Sequence, residues 1–524
     1  MMVIFYTKAY NAEKTLSRPV QSILDQTEGD WLWYLLDNGS QDATGAMIRS
    51  YAERDKRIVP LHNERNDCFS EQTSFWWLIK HHGDLDWFCF LDADDAYTPD
   101  FLSQMLAFVR QNQLDTAACG FDFIDAETGT YTGQRKLAQD LILASQKDFE
   151  AYFPVYHQFM RTNWAKFFSV KLMRQPDFQR LPGIRYGWDT LFTQEMLRRA
   201  ECFGILSRSL HRYYVSQKSF SYCWDPDRAK ADRTLYDLTC KFLIDKCGRV
   251  SPQNRTFLQA IYSNAVSDTI GVIHNAALSP ADKLREYRAI AENPITLASY
   301  RECTDESAAR SRTLLLQAAL EAGVALGGRD NEDLRAVAQL LLPRCGRSVT
   351  AGNLALFLET PELLKALLQD DTDVILKDLL GRMEQGRNVK KYALVEMVQA
   401  LAADHPLLCQ INDAVFLKKY GGIYWKIWQG DGLAALDEMT GLLMENRVRG
   451  GRETFLKLFI SLAASLEQAP AFVFGKLRLA ELYLSQNRPA ECRSLVEELE
   501  EMGLGEEDEI RTLRTKLEGD APRA

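Results

Sequence analysis

Three carboxylates, Asp92, Asp94 and Asp95, directly follow the apolar run Trp87-Phe88-Cys89-Phe90-Leu91. The run has the length and aromatic content of a buried strand. If extension continues past Leu91, a period of two turns Asp92 and Asp94 to the same side. Two like charges at the mouth of a sheet repel unless a cation sits between them. One chemistry for the pattern is therefore a divalent metal shared with a phosphate-bearing substrate. The other reading is an acidic surface turn in which all three side chains are solvated.

The elements needed to position these acids alternate. Val3 to Tyr6 reads as a strand, followed by the polar loop Thr7 to Asn11 and a helix over 12–27. Trp31 to Leu36 is a second buried-type strand, closed by Asp37-Asn38-Gly39-Ser40, where Asn-Gly signals a turn. A helix over 42–54, a short strand over 58–61 and a helix over 70–82 lead to the strand at Trp87. Strand–helix alternation predicts an α/β layer, mostly parallel, with right-handed crossovers. Three polar segments, 7–11, 37–40 and 92–95, then gather at the carboxyl edge of the sheet, where open α/β sheets bind ligands.

In their order and spacing these segments resemble family 2 glycosyltransferases of the GT-A fold. The residues carrying the resemblance are Thr7 to Leu16, Ser22 to Thr27, Asp37 to Ser40 with Asp42 and Thr44, and Leu91 to Asp95. The resemblance implies that Thr7, Tyr10 and Asn11 line a nucleotide base pocket and that Asp37 accepts a hydrogen bond from the base. It implies Asp92 near the ribose and beside the metal, Asp94 holding Mn2+ or Mg2+ on the diphosphate, and Asp95 near the sugar or acceptor. Two departures stand out. The family often has two acids before Gly-Ser where this chain has Asp37-Asn38, and its Arg-Asn pair is replaced by Thr73 and Ser74.

The second half of the site is expected beyond residue 95. A helix over 99–113 and a strand over 116–124 are followed by an irregular or partly helical stretch over 131–146. Thr162 to Phe168 resembles the family's W-x-K segment, with Trp164 either stacking on an acceptor sugar or packed in the core. Trp188 is assigned to the same acceptor side. Asp189 precedes a helix over 191–200 and falls where the family has an acid at a helix start. That position suits the general base of an inverting transfer, and equally an ordinary acid at a helix N-terminus. A strand over 202–210 leads to His211-Arg212-Tyr213-Tyr214 and a serine-containing loop with Lys218. Arg212 and Lys218 are candidates for the diphosphate, and His211 for a metal ligand or a structural residue.

The 524-residue chain is too long for one core and suggests about two to four domains. Net charge of −10 argues against a nucleic-acid surface. Eleven dispersed cysteines without a C-x-x-C pair suggest reduced thiols in a cytoplasm. The first residues lack the pattern of a leader, and no apolar run reaches the ~20 residues of a membrane span, so membrane contact is expected to be peripheral at most. From about residue 226 helical periodicity takes over. The expected organisation is a GT-A catalytic domain over 1–225, a helical connector over 226–300 and an all-α region of irregular helical repeats over 301–524. Within the last, 477–502 resembles one tetratricopeptide-type helix pair. Tyr424 to Trp428 reads as a packed core helix or an aromatic, basic membrane-surface element.

The function expected is transfer of a sugar from a nucleotide-diphosphate sugar, most readily UDP-linked, to a glycan, lipid-linked or wall-polymer acceptor. A protein partner or self-association is expected of the C-terminal helices. Two other classes fit in part. One is a degenerate transferase domain on a partner-binding helical scaffold. The other is a nucleotidyltransferase, but its glycine-rich phosphate loop is missing.

Overall fold

Val3–Ala9 (β1), Trp31–Asn38 (β2), Ile58–Asn63 (β3) and Trp87–Phe90 (β4) lie side by side in the order β3-β2-β1-β4, each neighbouring pair parallel. β4 and most of β1 and β2 are buried throughout, as continuous apolar strands of a parallel sheet must be when helices cover both faces. This is seen in a computed structural model, which describes residues 2–67, 78, 86–174, 185–216, 223–327, 329–350, 352–386 and 391–519. The helix expected over 70–82 falls, except for Leu78, outside the described residues.

The sheet continues through Ala96–Tyr97 (β5), Thr116–Asp125 (β6), Tyr131–Arg135 (β7), Leu141–Leu143 (β8), Lys166–Ser169 (β9) and Phe203–Val215 (β10). Its full order is β3-β2-β1-β4-β9-β6-β10-β5, with β7 on β6 and β8 on β10. β9 runs antiparallel between β4 and β6, while β10 runs parallel to β6. The start of β9 therefore faces the same edge as the end of β4, and Trp164, just before it, bridges to Phe90.

Helices cover the sheet at Ser17–Leu24, Thr44–Arg54, Phe101–Asn112 and Trp188–Arg199. The first is shorter than its apolar pattern suggests, because residues 13–16 form turns that carry the chain out of the β1 loop. The stretch over 131–146, expected to be irregular or partly helical, contains β7 and β8 instead. Neither has an apolar alternation of its own, and each gains its ladder by pairing with a long neighbour, β6 or β10.

After Val215 the described residues contain helices and no strand. Chain contacts divide the protein into two compact units, one of 1–278 with 293–314, the other of 279–292 with 315–524. The first unit thus holds the sheet together with the helices Arg228–Cys247 and Pro252–Asn275. In the second unit helices follow one another through short turns, among them Ala414–Trp428, Gly432–Met444, Arg452–Ser465, Ala469–Ser485 and Pro489–Leu499. The last two share a core through Ala480, Tyr483, Val496 and Leu499. Tyr424 is fully buried, so its helix packs in a core. No described helix is long and apolar enough to cross a membrane.

Candidate functional site

The loops after β1 and β2 are stitched to each other. Asn11 adopts a left-handed φ of 48°, and its Oδ1 accepts from the Gln41 N–H at 2.8 Å. Its own N–H donates to Ser40 Oγ at 3.0 Å. Ala12 N–H donates to Thr44 Oγ1, Glu13 N–H to Asp42 Oδ2, and Ala43 N–H to Glu13 Oε2. Gly39 turns the chain at φ 75°, and a Cβ there would lie 2.4 Å from the Arg65 backbone. Asp37 is buried, with Oδ1 accepting from the Ser40 N–H at 2.9 Å and Oδ2 lying 3.2 Å from His62 Nδ1.

The departure at Asn38 has a structural use. Its Nδ2 donates to Asn66 Oδ1 and the Asp67 carbonyl, while its Oδ1 accepts from Asn63 Nδ2 at 2.8 Å. A carboxylate cannot donate, so an acid here would face two acceptors. Thr73 and Ser74 lie outside the described residues.

Thr7 is buried, and its hydroxyl accepts the Trp33 indole N–H at 3.0 Å, while Tyr10 is exposed.

The three acids of the β4 loop separate. Asp92 and Asp94 are exposed. Asp94 nevertheless has a raised pKa, through burial against the surrounding protein, with Arg18 and His211 pulling the other way. Asp95 is fully buried. Its Oδ2 lies 2.9 Å from His211 Nε2, and its Oδ1 accepts the Tyr214 N–H at 2.9 Å.

Burial, then the charge of Asp94, pushes the Asp95 pKa well up, and burial pushes His211 down to about 3. The His211 Nδ1 has no hydrogen-bond partner, so an imidazolium would bury an unpaired N–H. Burial thus holds the imidazole neutral, and the contact ties the β4 loop to β10. Both Asp95 oxygens are committed inside the protein, which moves this residue from the expected sugar or acceptor contact to a clamp. His211 is committed in the same way, as a structural residue.

Arg18 carried no signal in any motif, yet it joins this group. Its guanidinium donates to the Asp94 carbonyl and lies 3.5 Å from the centroid of the Tyr214 ring. Thr15 Oγ1 donates to the Ala93 carbonyl at 3.0 Å, so the turn and helix after β1 support the β4 loop from below. The available signal was positional: both residues lie in the turn and helix that follow the first ligand-edge loop.

On the other side, Trp164 is 5% exposed. It stacks on His211 at 4.5 Å and on Tyr213 at 5.1 Å, and meets Phe121 edge-on. Trp188, 9% exposed, stacks on Phe192 and meets Phe90 edge-on. Burial leaves neither ring an open face for a sugar, so both take the core role.

Trp188 instead docks the Trp188–Arg199 helix on the end of β4. Gly187 precedes that helix at φ 80°, where a Cβ would strike Leu235. Asp189 sits half-buried in the first turn. Thr190 Oγ1 donates to the Arg161 carbonyl and Thr193 Oγ1 to the Thr162 carbonyl, which fixes the helix start against the segment leading to β9. Lys166, buried nearby, has its pKa brought down to about 7 by burial, while the Asp189 charge acts to raise it. Arg212 is exposed on β10, and Lys218 lies outside the described residues.

The described chain thus brings Asp37, Asp92, Asp94 and Arg18 to one stretch of the sheet edge and packs the helix bearing Asp189 against the same end of β4. Residues 5–175 match the family Glycosyl transferase family 2. The chain is 23% identical over 220 residues to the uncharacterized glycosyltransferase EpsJ of Bacillus subtilis, covering 42% of this chain and 63% of that protein. It is 23% identical over 146 residues to WfgD of Escherichia coli, a UDP-Glc:alpha-D-GlcNAc-diphosphoundecaprenol beta-1,3-glucosyltransferase, covering 27% of this chain and 55% of the relative. It thus spans less than two thirds of either relative. Staphylococcus aureus TarS 1–349, crystallised with UDP-GlcNAc, aligns with 74% of this chain and 92% of its own at 14% identity and a TM-score of 0.38. Residues 5–175 are thus similar to a family 2 glycosyltransferase domain.

Proposed function

We propose that the protein is a metal-dependent, inverting glycosyltransferase of the cytoplasm that moves a sugar from a UDP-linked donor to a glycan, lipid-linked or wall-polymer acceptor. The observation that carries this reading is Asp94, an exposed carboxylate just past the end of β4 whose pKa is raised by its surroundings, with the exposed Asp92 two residues before it. A carboxylate whose charge is disfavoured by its surroundings gains from a divalent cation, and hard oxygen donors suit Mn2+ or Mg2+. Among the described residues no group of three or more histidine, cysteine or acidic side chains gathers as a closed metal cage. A cation shared with substrate phosphates needs only one or two carboxylates. Asp94 and Asp92 would hold it, and when bound it would offset charge building on the departing diphosphate.

Tyr10, Asn11 and Asp37 would receive the nucleoside, with Thr7 behind them and Arg212 and Lys218 toward the diphosphate. Arg18, whose charge reaches Asp94 and Asp95, would add a cation beside the diphosphate. Asp189 would take the proton from the acceptor hydroxyl as that oxygen attacks the anomeric carbon, opposite the leaving group. A helix N-terminus favours the ionised form of an acid in its first turn, the form a base requires. The name of the WfgD relative supports a UDP-sugar donor and a lipid-linked acceptor among the alternatives.

The deciding measurement is thermal unfolding with UDP and Mn2+. At one hundred times Kd, ligand linkage adds ~2.7 kcal/mol, a rise of about 5 °C or more in Tm. Asp94→Ala is expected to abolish that rise. An intact protein that shows no metal-dependent UDP binding would sink the proposal.

A further inference from the structure

The helix that presents Asp189 is gripped by a second helix, Arg228–Cys247, at three successive levels. Ahead of the first turn, the Arg228 guanidinium lies 4.1 Å from the centroid of the Tyr186 ring, and its Nη2 donates to the Tyr186 hydroxyl at 3.2 Å. At the helix start, Leu235 fills the space beside Gly187, where a Cβ would lie 2.5 Å from the leucine Cδ1. Further along, Gln194 Nε2 donates to Thr239 Oγ1 at 2.7 Å, with both residues buried. Arg228, Leu235 and Thr239 follow one another at intervals of seven and four, a spacing that sets them on one face of their helix.

Arg228 is itself held from behind. It is 3% exposed, and a buried guanidinium is costly unless its hydrogens are committed and its charge answered. Its Nε donates to Thr269 Oγ1 at 3.0 Å, and that hydroxyl donates in turn to Oδ2 of the buried Asp232 at 2.6 Å. Thr269 lies on the helix Pro252–Asn275, so a bridge between two helices fixes the planar fork and gives the arm that reaches Tyr186 a set direction. The preceding residue is tied to the same region, Arg185 Nη1 lying 3.7 Å from Oδ2 of the buried Asp225. Arg228, Asp232 and Thr269 all lie beyond 5–175, the segment similar to the family.

We propose that Arg228 is a positioning residue for Asp189: anchored on Thr269 and Asp232, it holds Tyr186 and so sets where the first turn of the Asp189 helix meets the acceptor hydroxyl. This rests on the glycosyltransferase reading. It adds that the helices Arg228–Cys247 and Pro252–Asn275, expected from the sequence as a connector, belong to the catalytic machinery. A base must stand within hydrogen-bond reach of the proton it takes, and a misplacement of about 1 Å can cost on the order of 100-fold in rate. A buried network that served stability alone would lower the amount of folded protein and leave the folded fraction fully active.

The test measures UDP release by the full chain with Mn2+ from UDP-glucose, UDP-galactose and UDP-N-acetylglucosamine, with water as the acceptor, beside UDP affinity by calorimetry. With the donor that is turned over, Arg228→Gln is expected to lower kcat by about tenfold or more while the donor KM and the UDP affinity stay unchanged, which also shows that the variant is folded. Tyr186→Phe removes only the hydroxyl that receives Nη2 and should lower kcat about threefold in the same pattern. In an Asp189→Asn background Arg228→Gln should cause no further loss, because its effect passes through Asp189. Unchanged kcat in both variants, a fall in kcat matched by an equal loss of UDP affinity, or a further loss in the Asp189→Asn background would overturn the proposal. If Arg228→Gln does not fold, Tyr186→Phe, alone and combined with Asp189→Asn, decides by the same criteria. UDP binding without release from any of the three donors overturns the proposal as well. Absence of UDP binding by the unsubstituted protein is a separate result that defeats the donor reading itself.

Discussion

The loops after β1 and β2 hold each other through hydrogen bonds from Asn11, Glu13, Ser40, Asp42 and Thr44, residues within about thirty positions of one another. The opposite side is assembled from segments far apart in the chain. Trp164 on His211, Phe121 on Trp164, and Thr190 on Arg161 join four separate stretches. The side proposed for the donor is thus a local polar lattice, and the side proposed for the acceptor is a stack of rings. A polar lattice shapes itself from nearby residues, with each donor answered by a nearby acceptor. An aromatic stack needs the whole sheet in register before any ring finds its neighbour. Asp95 and His211 form the seam, with one partner from each side, 116 residues apart.

If the division is real, substitutions on the two sides should fail in different ways. The largest effect is expected for Asp189→Asn: a turnover loss of ~10²–10⁴-fold with UDP affinity retained. Parallel loss of UDP binding would show that Asp189 supports the fold of the donor side as well, and the comparison would break.

Next comes the pH dependence of Lys166. Its folded pKa of about 7 lies below the ordinary 10.5, so between these values the unfolded chain binds more protons and stability rises with pH. The penalty for burying the ammonium is fully present below pH 7 and fades as the pH rises toward 10.5. Lys166→Met should flatten the rise in Tm between pH 7 and 10, by an amount equivalent to a few kcal/mol. An unchanged slope would show that Lys166 is solvated.

The smallest effect is Asn38→Asp, which sets a carboxylate against the Asn66 and Asp67 oxygens. We expect ~1–3 kcal/mol of lost stability by chemical denaturation. We also expect weakened UDP affinity, because the lattice around Asp37 loosens. Unaltered stability would remove the claim that Asn38 organises that loop.

Much of the donor side was legible in the chain itself. Buried apolar runs ended in polar residues at the same edge three times over, so strand periodicity alone delivered Asp37, Asp92 and Asp94 to one place. The acceptor side was not legible to the same degree. β7 and β8 carry no apolar alternation, so nothing local marked them as strands or placed Arg135 beside Phe121. Arg18 belongs to an ordinary amphipathic helix. Trp164 and Trp188 read equally well as sugar platforms or as core, and only their packing partners separate the two.

Residue order and hydrophobic period by themselves determined the parallel layer, the edge at which it presents its acids, and the change to helices after residue 226. These depend on neighbours in sequence: where a strand ends, which turn follows, which face of a helix is apolar. The tertiary structure decided which of three adjacent aspartates reach solvent and which one is a clamp. It also decided which tryptophans are closed off. Each of those outcomes is set by burial and by a partner many residues away, and burial is a property of the folded sheet that no local stretch of chain possesses.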